Sequence, residues 1–311
     1  MVLYLNNCIF CELKEILNNN ERLMITQRLF VWSSIPVAFI SMLKPLNLKG
    51  YKVAMWIHIC LSLLAWGIYL YLRYTYSFNK IDPSDDGYTR HCVEYDHKGC
   101  RVLEYMPPRP PKRRILAFPG LMISVRRMIR ENCISPFLQD SVIICFQIRG
   151  LGDSDMLVDL STETMSEDSI SQYLNFEMRT KKLPTFFIGY SLGSFTAMQL
   201  LSNIRIPVVC NRVILVNGLF ECKYMYPMFK CLTNILKINN RELVAKSNVP
   251  IFVVHSKNDR TVEPRESVNL IKECRASKPP RHVEYMFIDG DHSNYVFSSE
   301  QTVEYTRALN I

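Results

Sequence analysis

Six short apolar runs constrain this chain more than any other feature. RILAF, SVIICFQI, TFFIGY, RVILVNG, PIFVVHS and EYMFID follow one another from Arg114 to Asp289, each a near-continuous stretch rich in Val, Ile and Phe. A strand that is apolar on both faces must be covered on both faces, which is the condition of parallel strands. Stretches with helical spacing lie between the runs. Thr164-x-x-Glu167 and Ser298-x-x-Gln301 have the form of capping boxes, and Pro264 suits a first helical turn. Upstream, HCVEY and RVLEYM flank the turn DHKG and read as a hairpin. The alternation predicts a three-layer α/β domain over residues 90–311, with helices on both faces of a mostly parallel sheet. The basic, proline-rich PPRPPKRR (Pro107–Arg114) reads as a solvated crossing between strands; a lipid-headgroup contact or a peptide-recognition ligand is the other reading.

The first 80 residues follow a different rule. Val53–Leu72 holds twenty residues without Lys, Arg, Asp or Glu, between Lys52 and Arg73. As a helix it would be about 30 Å long, the hydrocarbon thickness of a bilayer. Trp56, Tyr69, Tyr71, Tyr74 and Tyr76 crowd its ends, as interfacial anchors do. A second run, Leu29–Leu43, is uncharged but short, and contains Pro36 and three serines. It reads as the first helix of a transmembrane hairpin, a re-entrant segment or a helix lying in the interface. Each flank of the two runs has three basic residues, so the positive-inside rule sets no orientation. Residues 1–80 are therefore expected to be a membrane anchor, with 81–89 a polar linker into the α/β domain.

Charge argues against a nucleic-acid partner. The net charge of the chain is +8. Residues 1–80 carry 8 Lys and Arg against 3 Asp and Glu, leaving 29 against 26 for the rest. A nucleic-acid footprint belongs on the folded domain, which is nearly neutral. Eleven cysteines without a repeating pattern read as reduced thiols in a cytosol-facing protein. The first apolar run begins only near Leu29 and lacks a small-residue cleavage site, so no cleaved signal peptide is expected. Cys8-x-x-Cys11 stands alone, and two ligands do not make a zinc site.

The chemistry centres on Gly189-Tyr190-Ser191-Leu192-Gly193. TFFIGY before it is a strand and LGSFTAMQLLSNI after it is a helix, so Ser191 stands on a tight strand-to-helix turn above the sheet. Such a turn leaves no room for side chains two residues either side, hence Gly189 and Gly193. A serine hydroxyl is a weak nucleophile until a base takes its proton, and the base needs an acid to orient it. PIFVVHSKNDRTV delivers Asp259 after one later strand, and EYMFIDGDHSN delivers His292 after the next. Among the six histidines, His292 alone is late, loop-borne and followed by small polar residues. His58 lies in a membrane run, His91 and His97 precede the serine, and His255 and His282 belong to strands. Asp289 and Asp291 are too close in sequence to His292 to reach its Nδ1 easily. Two backbone N–H groups would hold an oxyanion: Leu192, opening the helix, and Leu121, in the loop FPGLM where Gly120 lets the chain turn.

These residues resemble the alpha/beta-hydrolase superfamily over about residues 90–311. GYSLG, FPGL, RGLGDSD (Arg149–Asp155), HSKNDRTV and GDHSN stand in that family's order. Two departures are visible. Pro119-Gly120 replaces the His-Gly of many members, and only about thirty residues (Leu219–Asn248) are available for a lid. The resemblance implies a serine hydrolase with triad Ser191, Asp259 and His292, acting through an acyl-enzyme with no metal or organic cofactor. Joined to a membrane anchor, it points to esters of lipid-like acyl substrates at a bilayer. Acyl-protein thioesterase and serine peptidase are the alternatives within the family; a catalytically silent scaffold is the alternative outside it. Oligomeric state leaves no trace in the sequence.

Overall fold

The computed structural model describes residues 91–121, 123–149, 162–180, 182–203, 207–220, 240–276 and 283–309. The apolar runs 29–43 and 53–72, the stretch 81–89 and the pair Cys8 and Cys11 lie outside the described residues. Among the described residues no helix is long and apolar enough to cross a membrane.

The chain enters the sheet through a hairpin. Strands β1 (Cys92–His97) and β2 (Cys100–Tyr105) pair antiparallel, with His97 opposite Cys100. Lys98 and Gly99 join them with φ of 52° and 81°, the left-handed pair that a two-residue hairpin turn needs. Next come β3 (Arg113–Phe118), helix α1 (Val125–Arg130), β4 (Ser141–Phe146) and helix α2 (Thr162–Arg179). Strand β5 (Thr185–Tyr190) leads into α3 (Gly193–Leu201), and β6 (Arg212–Val216) precedes α4 (Asn240–Lys246). The chain ends with β7 (Ile251–Ser256), α5 (Arg265–Ala276), β8 (Val283–Gly290), β9 (Tyr295–Val296) and α6 (Ser299–Arg307).

The strands form one sheet in the order β1-β2-β4-β3-β5-β6-β7-β8-β9. The six strands from β4 to β8 are mutually parallel, and the hairpin and β9 close the two ends antiparallel. These six are the apolar runs of the sequence, and the side chains divide by parity. Ile115, Ala117, Ile143, Cys145, Phe186 and Ile188 face α1 and the end of α6, packing on Met128, Ile129 and Tyr305. Leu116, Phe118, Ile144, Phe146, Phe187 and Leu215 face α2 to α5, packing on Phe176, Met198, Val244 and Leu270. Fully burying side chains of this size stabilises by about 1.5–3 kcal/mol each, which is why both helical layers are obligatory.

Two readings of the sequence change in the structure. The basic stretch is not all crossing: the exposed part stops at Lys112, and Arg113 and Arg114 are buried as the first residues of β3. Arg114 donates to Thr185 Oγ1 (2.7 Å), Thr180 Oγ1 (2.9 Å) and Glu177 Oε1 (2.5 Å), with its guanidinium 4.7 Å above the Phe176 ring. A planar fork with five donors can enter an interior when each has an acceptor, which a count of charges does not register. Thr164 does not cap a helix, because α2 already begins at Thr162. The second capping box forms as read, with Gln301 N–H on Ser298 Oγ and Gln301 Oε1 on the Ser298 N–H. Pro264 sits where expected, its carbonyl accepting the Val268 N–H as α5 opens.

Register aligns the carboxyl ends of the parallel strands. Phe118 is level with Gly189, Tyr190 with Val216, Val216 with Val254, and Ser256 with Ile288. The segments that leave those ends therefore emerge at one edge of the sheet.

Candidate active site

Ser191 is the residue between β5 and α3, and its φ is 52°. A left-handed backbone at a residue with a side chain is uncommon and costs energy that the surroundings must offset. Here the backbone of Ser191 is tied on both sides. Its N–H donates to Val216 O (2.9 Å), and its carbonyl accepts Ser194 N–H (3.0 Å), Ser194 Oγ (2.5 Å) and Leu219 N–H (3.3 Å). The glycines that flank it are set by space. A Cβ on Gly189 would lie 2.6 Å from Ser194 Cα, and one on Gly193 would lie 2.0 Å from Phe118 O. Both contacts are with backbone and cannot be relieved by a side chain turning aside.

The three residues singled out for acyl transfer meet. His292 Nε2 is 2.9 Å from Ser191 Oγ, and His292 Nδ1 is 2.7 Å from Asp259 Oδ2. With Asp259 ionised, Nδ1 carries the proton that faces it, which leaves Nε2 to accept from the serine hydroxyl. Asp259 is buried, and its Oδ1 accepts the N–H groups of Thr261 (2.8 Å) and Val262 (2.9 Å). Burial by itself would raise the Asp259 pKa. Hydrogen bonds from His255 and His292, the charge of His292 and the Val262 N–H outweigh it and hold the carboxyl well below the usual range.

The rivals have other work. Asp289 pairs with Lys257 Nζ at 2.8 Å on the surface. Asp291 accepts the N–H groups of Ser293 and Asn294, which lower its pKa, and so shapes the turn after β8. His97 is bonded to Ser171 at 3.0 Å, and His91 packs its ring against Tyr105. His255 is fully buried, 2.7 Å from Ser267 Oγ and 3.1 Å from the Val262 carbonyl, with Nε2 3.4 Å from Asp259 Oδ2. It stands against the aspartate. His58 and His282 are outside the described residues.

The FPGL loop lies against Ser191. A Cβ added to Gly120 would be 3.1 Å from Ser191 Cβ and 3.0 Å from Tyr190 Cδ1. Gly120 is not in a left-handed conformation, so close approach, not a turn, is what calls for glycine there. Leu121 follows it directly. Leu192 is the N-cap of α3, ahead of the first helical carbonyl able to accept its N–H. Helix α3 thus directs its positive end toward the serine.

Two residues escaped the sequence reading. Asn217, the residue after β6, is fully buried with φ 46°, and its side chain bonds the His292 carbonyl. Tyr190, inside the motif, donates its hydroxyl to the same carbonyl. The only prior signal was an asparagine before glycine at a strand's end, which marks a left-handed backbone but no partner.

A six-stranded parallel sheet with a serine on a strand-to-helix elbow, and an acid and a histidine after later strands, has a known counterpart. Residues 131–238 match the family model described as alpha/beta hydrolase fold. The chain has the alpha/beta-hydrolase fold. Solved structures agree. Est1E from Butyrivibrio proteoclasticus, with ferulic acid bound, aligns at 14% identity with a TM-score of 0.52, over 70% of this chain and 96% of that one. The esterase RhEst1 from Rhodococcus sp. ECU1013 aligns at 13% identity with a TM-score of 0.51, over 71% and 98%. The Pyrococcus furiosus esterase PF2001 aligns at 13% identity with a TM-score of 0.53, over 70% and 89%. No curated protein sequence matches the chain.

Proposed function

We propose that this protein is a serine hydrolase that cleaves carboxylic esters of lipid-like acyl substrates beside a bilayer. One observation carries the reading: the unbroken chain of contacts from Ser191 Oγ through the His292 ring to the buried Asp259 carboxylate, at 2.9 and 2.7 Å. Ser191 Oγ attacks the acyl carbonyl as His292 Nε2 takes its proton, and the imidazolium then protonates the departing alkoxide. Asp259 stays ionised, fixes the tautomer and stabilises the imidazolium. The N–H groups of Leu121 and Leu192 receive the oxyanion. Water, deprotonated by His292, releases the acid and restores the serine.

Esterases stand among the structural neighbours, as does a dipeptidyl aminopeptidase from Bacteroides ovatus, so the analogy of fold supports acyl-bond hydrolysis, and the choice of ester rests on the anchor. The lipid substrate and the anchor come from residues 1–80, whose twenty-residue uncharged run has the length of a bilayer span. A cytosol-facing catalytic domain accords with Cys92, Cys100, Cys133, Cys145, Cys210 and Cys274 being free thiols.

A fluorophosphonate probe tests the chemistry. The full chain should be labelled at Ser191, and Ser191→Ala should abolish labelling while leaving expression and membrane association intact. Labelling that survives the substitution refutes the nucleophile. Lipid esters compared with acyl-thioester peptides then test the substrate class; faster turnover of the thioesters would make the enzyme an acyl-protein thioesterase.

A further inference from the structure

We propose that Asn217 and Tyr190 are positioning residues that hold the backbone carbonyl of His292 and so set where its imidazole stands between Ser191 and Asp259. The proposal rests on the serine-hydrolase reading above. Asn217 bonds to two of the segments that converge at the site, β7 with the loop after it and the His292 loop, and its neighbour Val216 bonds to a third. Its N–H donates to Val254 O of β7 (2.9 Å), and the carbonyl just before it, that of Val216, accepts the Ser191 N–H (2.9 Å). Its Oδ1 accepts the Ser256 N–H (2.8 Å), three residues ahead of Asp259. Its Nδ2 donates to the His292 carbonyl (2.9 Å). The amide has one workable orientation, because reversing it would set donor against donor at Ser256 and acceptor against acceptor at His292. Tyr190, the neighbour of Ser191, donates its hydroxyl to the same carbonyl. Burial pushes the Tyr190 pKa far up, so the hydroxyl keeps its proton at all working pH values.

The carbonyl is where a loop-borne base can be held. His292 stands between β8 and β9, in neither strand nor helix. The far side of its ring is bound to Asp259 and Ser191, but both bonds act at the end of a side chain that pivots about its own Cα. Two donors on the carbonyl fix the pivot. The left-handed φ of 46° at Asn217 fits this role, since Asn is among the few residues with side chains that adopt it readily. A base displaced by about 1 Å costs on the order of 100-fold in rate.

The test uses Asn217→Asp and Tyr190→Phe in the full chain. Aspartate keeps the size, the tolerance of left-handed φ and the acceptor for Ser256, and puts a carboxyl oxygen where the donor faced His292, at the cost of a buried charge that the Tm reading registers. Phenylalanine removes only a hydroxyl. Four quantities are read: kcat and KM on a soluble ester, the rate of fluorophosphonate labelling, Tm, and the low-field proton resonance of His292 Nδ1–H. Asn217→Asp should lower kcat about 10- to 100-fold with KM nearly unchanged, slow labelling in proportion and shift the low-field resonance. Tyr190→Phe should act in the same direction more weakly, and the double variant should lose less than the product of the two, because both donors serve one carbonyl. Unchanged kcat and resonance in the folded variants would overturn the proposal, as would a kcat loss that disappears on cooling below the variant's Tm. If Asn217→Asp does not fold, Tyr190→Phe decides by the same readings. A wild-type chain that is never labelled overturns the serine-hydrolase reading itself; an active wild type with fully active variants overturns only the clamp.

Discussion

Gly193→Ala is the sharpest test of the elbow, because the structure specifies what must move. The added Cβ would lie 2.0 Å from Phe118 O, 2.5 Å from Phe118 C and 2.7 Å from Pro119 O. Relieving the first contact even to 3.0 Å takes about 1 Å of movement, and every atom involved is backbone. Either the start of α3 backs away, carrying Leu192, or the loop from Phe118 withdraws, carrying Leu121. In both cases the two proposed oxyanion donors separate. Overpacking of this kind destabilises by about 1–3 kcal/mol. For a domain of this size that lowers Tm by about 2–12 °C. Losing one oxyanion donor lowers kcat by about 10²–10³. The activity effect should therefore exceed the stability effect by a wide margin. The assay is kcat on a soluble ester at a temperature well below the variant's Tm, beside a thermal melt. Gly120→Ala is the milder comparison, since its Cβ would lie 3.0 Å from Tyr190 Cδ1 and 3.1 Å from Ser191 Cβ, contacts that shifts of a few tenths of an ångström relieve. It should lose far less activity than Gly193→Ala. A Gly193→Ala protein with wild-type kcat and Tm would refute the steric account of the elbow and the assignment of the two donors.

Asp259→Asn should leave the fold intact and drop kcat by about 10⁴, because the amide favours the wrong imidazole tautomer; near-full activity, measured by ester hydrolysis, would reassign the acid. The depressed pKa of Asp259 has a consequence for stability. Its folded value lies below the unfolded value of about 3.9, so its contribution is present above about pH 4 and is lost as pH falls through the folded value. The Tm of wild type relative to Asp259→Asn should thus shrink below about pH 4, by thermal melts across the acid range. Glu177→Ala should destabilise by about 1–3 kcal/mol in a denaturant melt, because Arg114 stays buried without its carboxylate, though Thr180 and Thr185 still accept from it. If the uncharged run 53–72 is the proposed anchor, the full chain should resist extraction by high salt and by alkali, because such a run is held by burial; release by salt alone would dispose of the anchor.

Much of the fold was legible in the sequence because parallel strands advertise themselves. A strand covered on both faces has no polar face, and RILAF through EYMFID became the six parallel strands of the sheet. The elbow was legible for the same kind of reason: glycines at 189 and 193 record a steric demand made within five residues. Other demands come from residues distant in sequence and leave no local mark. Arg113 and Arg114 read as surface because Glu177, Thr180, Thr185 and Asp140, their acceptors, lie far along the chain. Gly120 read as a turn, yet what requires glycine there is the approach of Tyr190 and Ser191 from another strand. His255 read as an unused strand residue, yet it lies 3.4 Å from the same carboxylate oxygen of Asp259 that His292 contacts.

The sequence by itself determined which residues are capable of acyl-transfer chemistry and the order in which strands would present them, because residue type, local backbone preference and strand periodicity are properties of short segments. Only the tertiary structure decided that Ser191, Asp259 and His292 touch, and that Asn217 and Tyr190 close on the carbonyl of His292. Those contacts join residues up to 102 positions apart. Their distances are set by strand order and register, by the way β5, β6, β7 and β8 lie side by side with their carboxyl ends level. Register is the cooperative product of all the side chains packed on both faces of the sheet, and no single segment carries it.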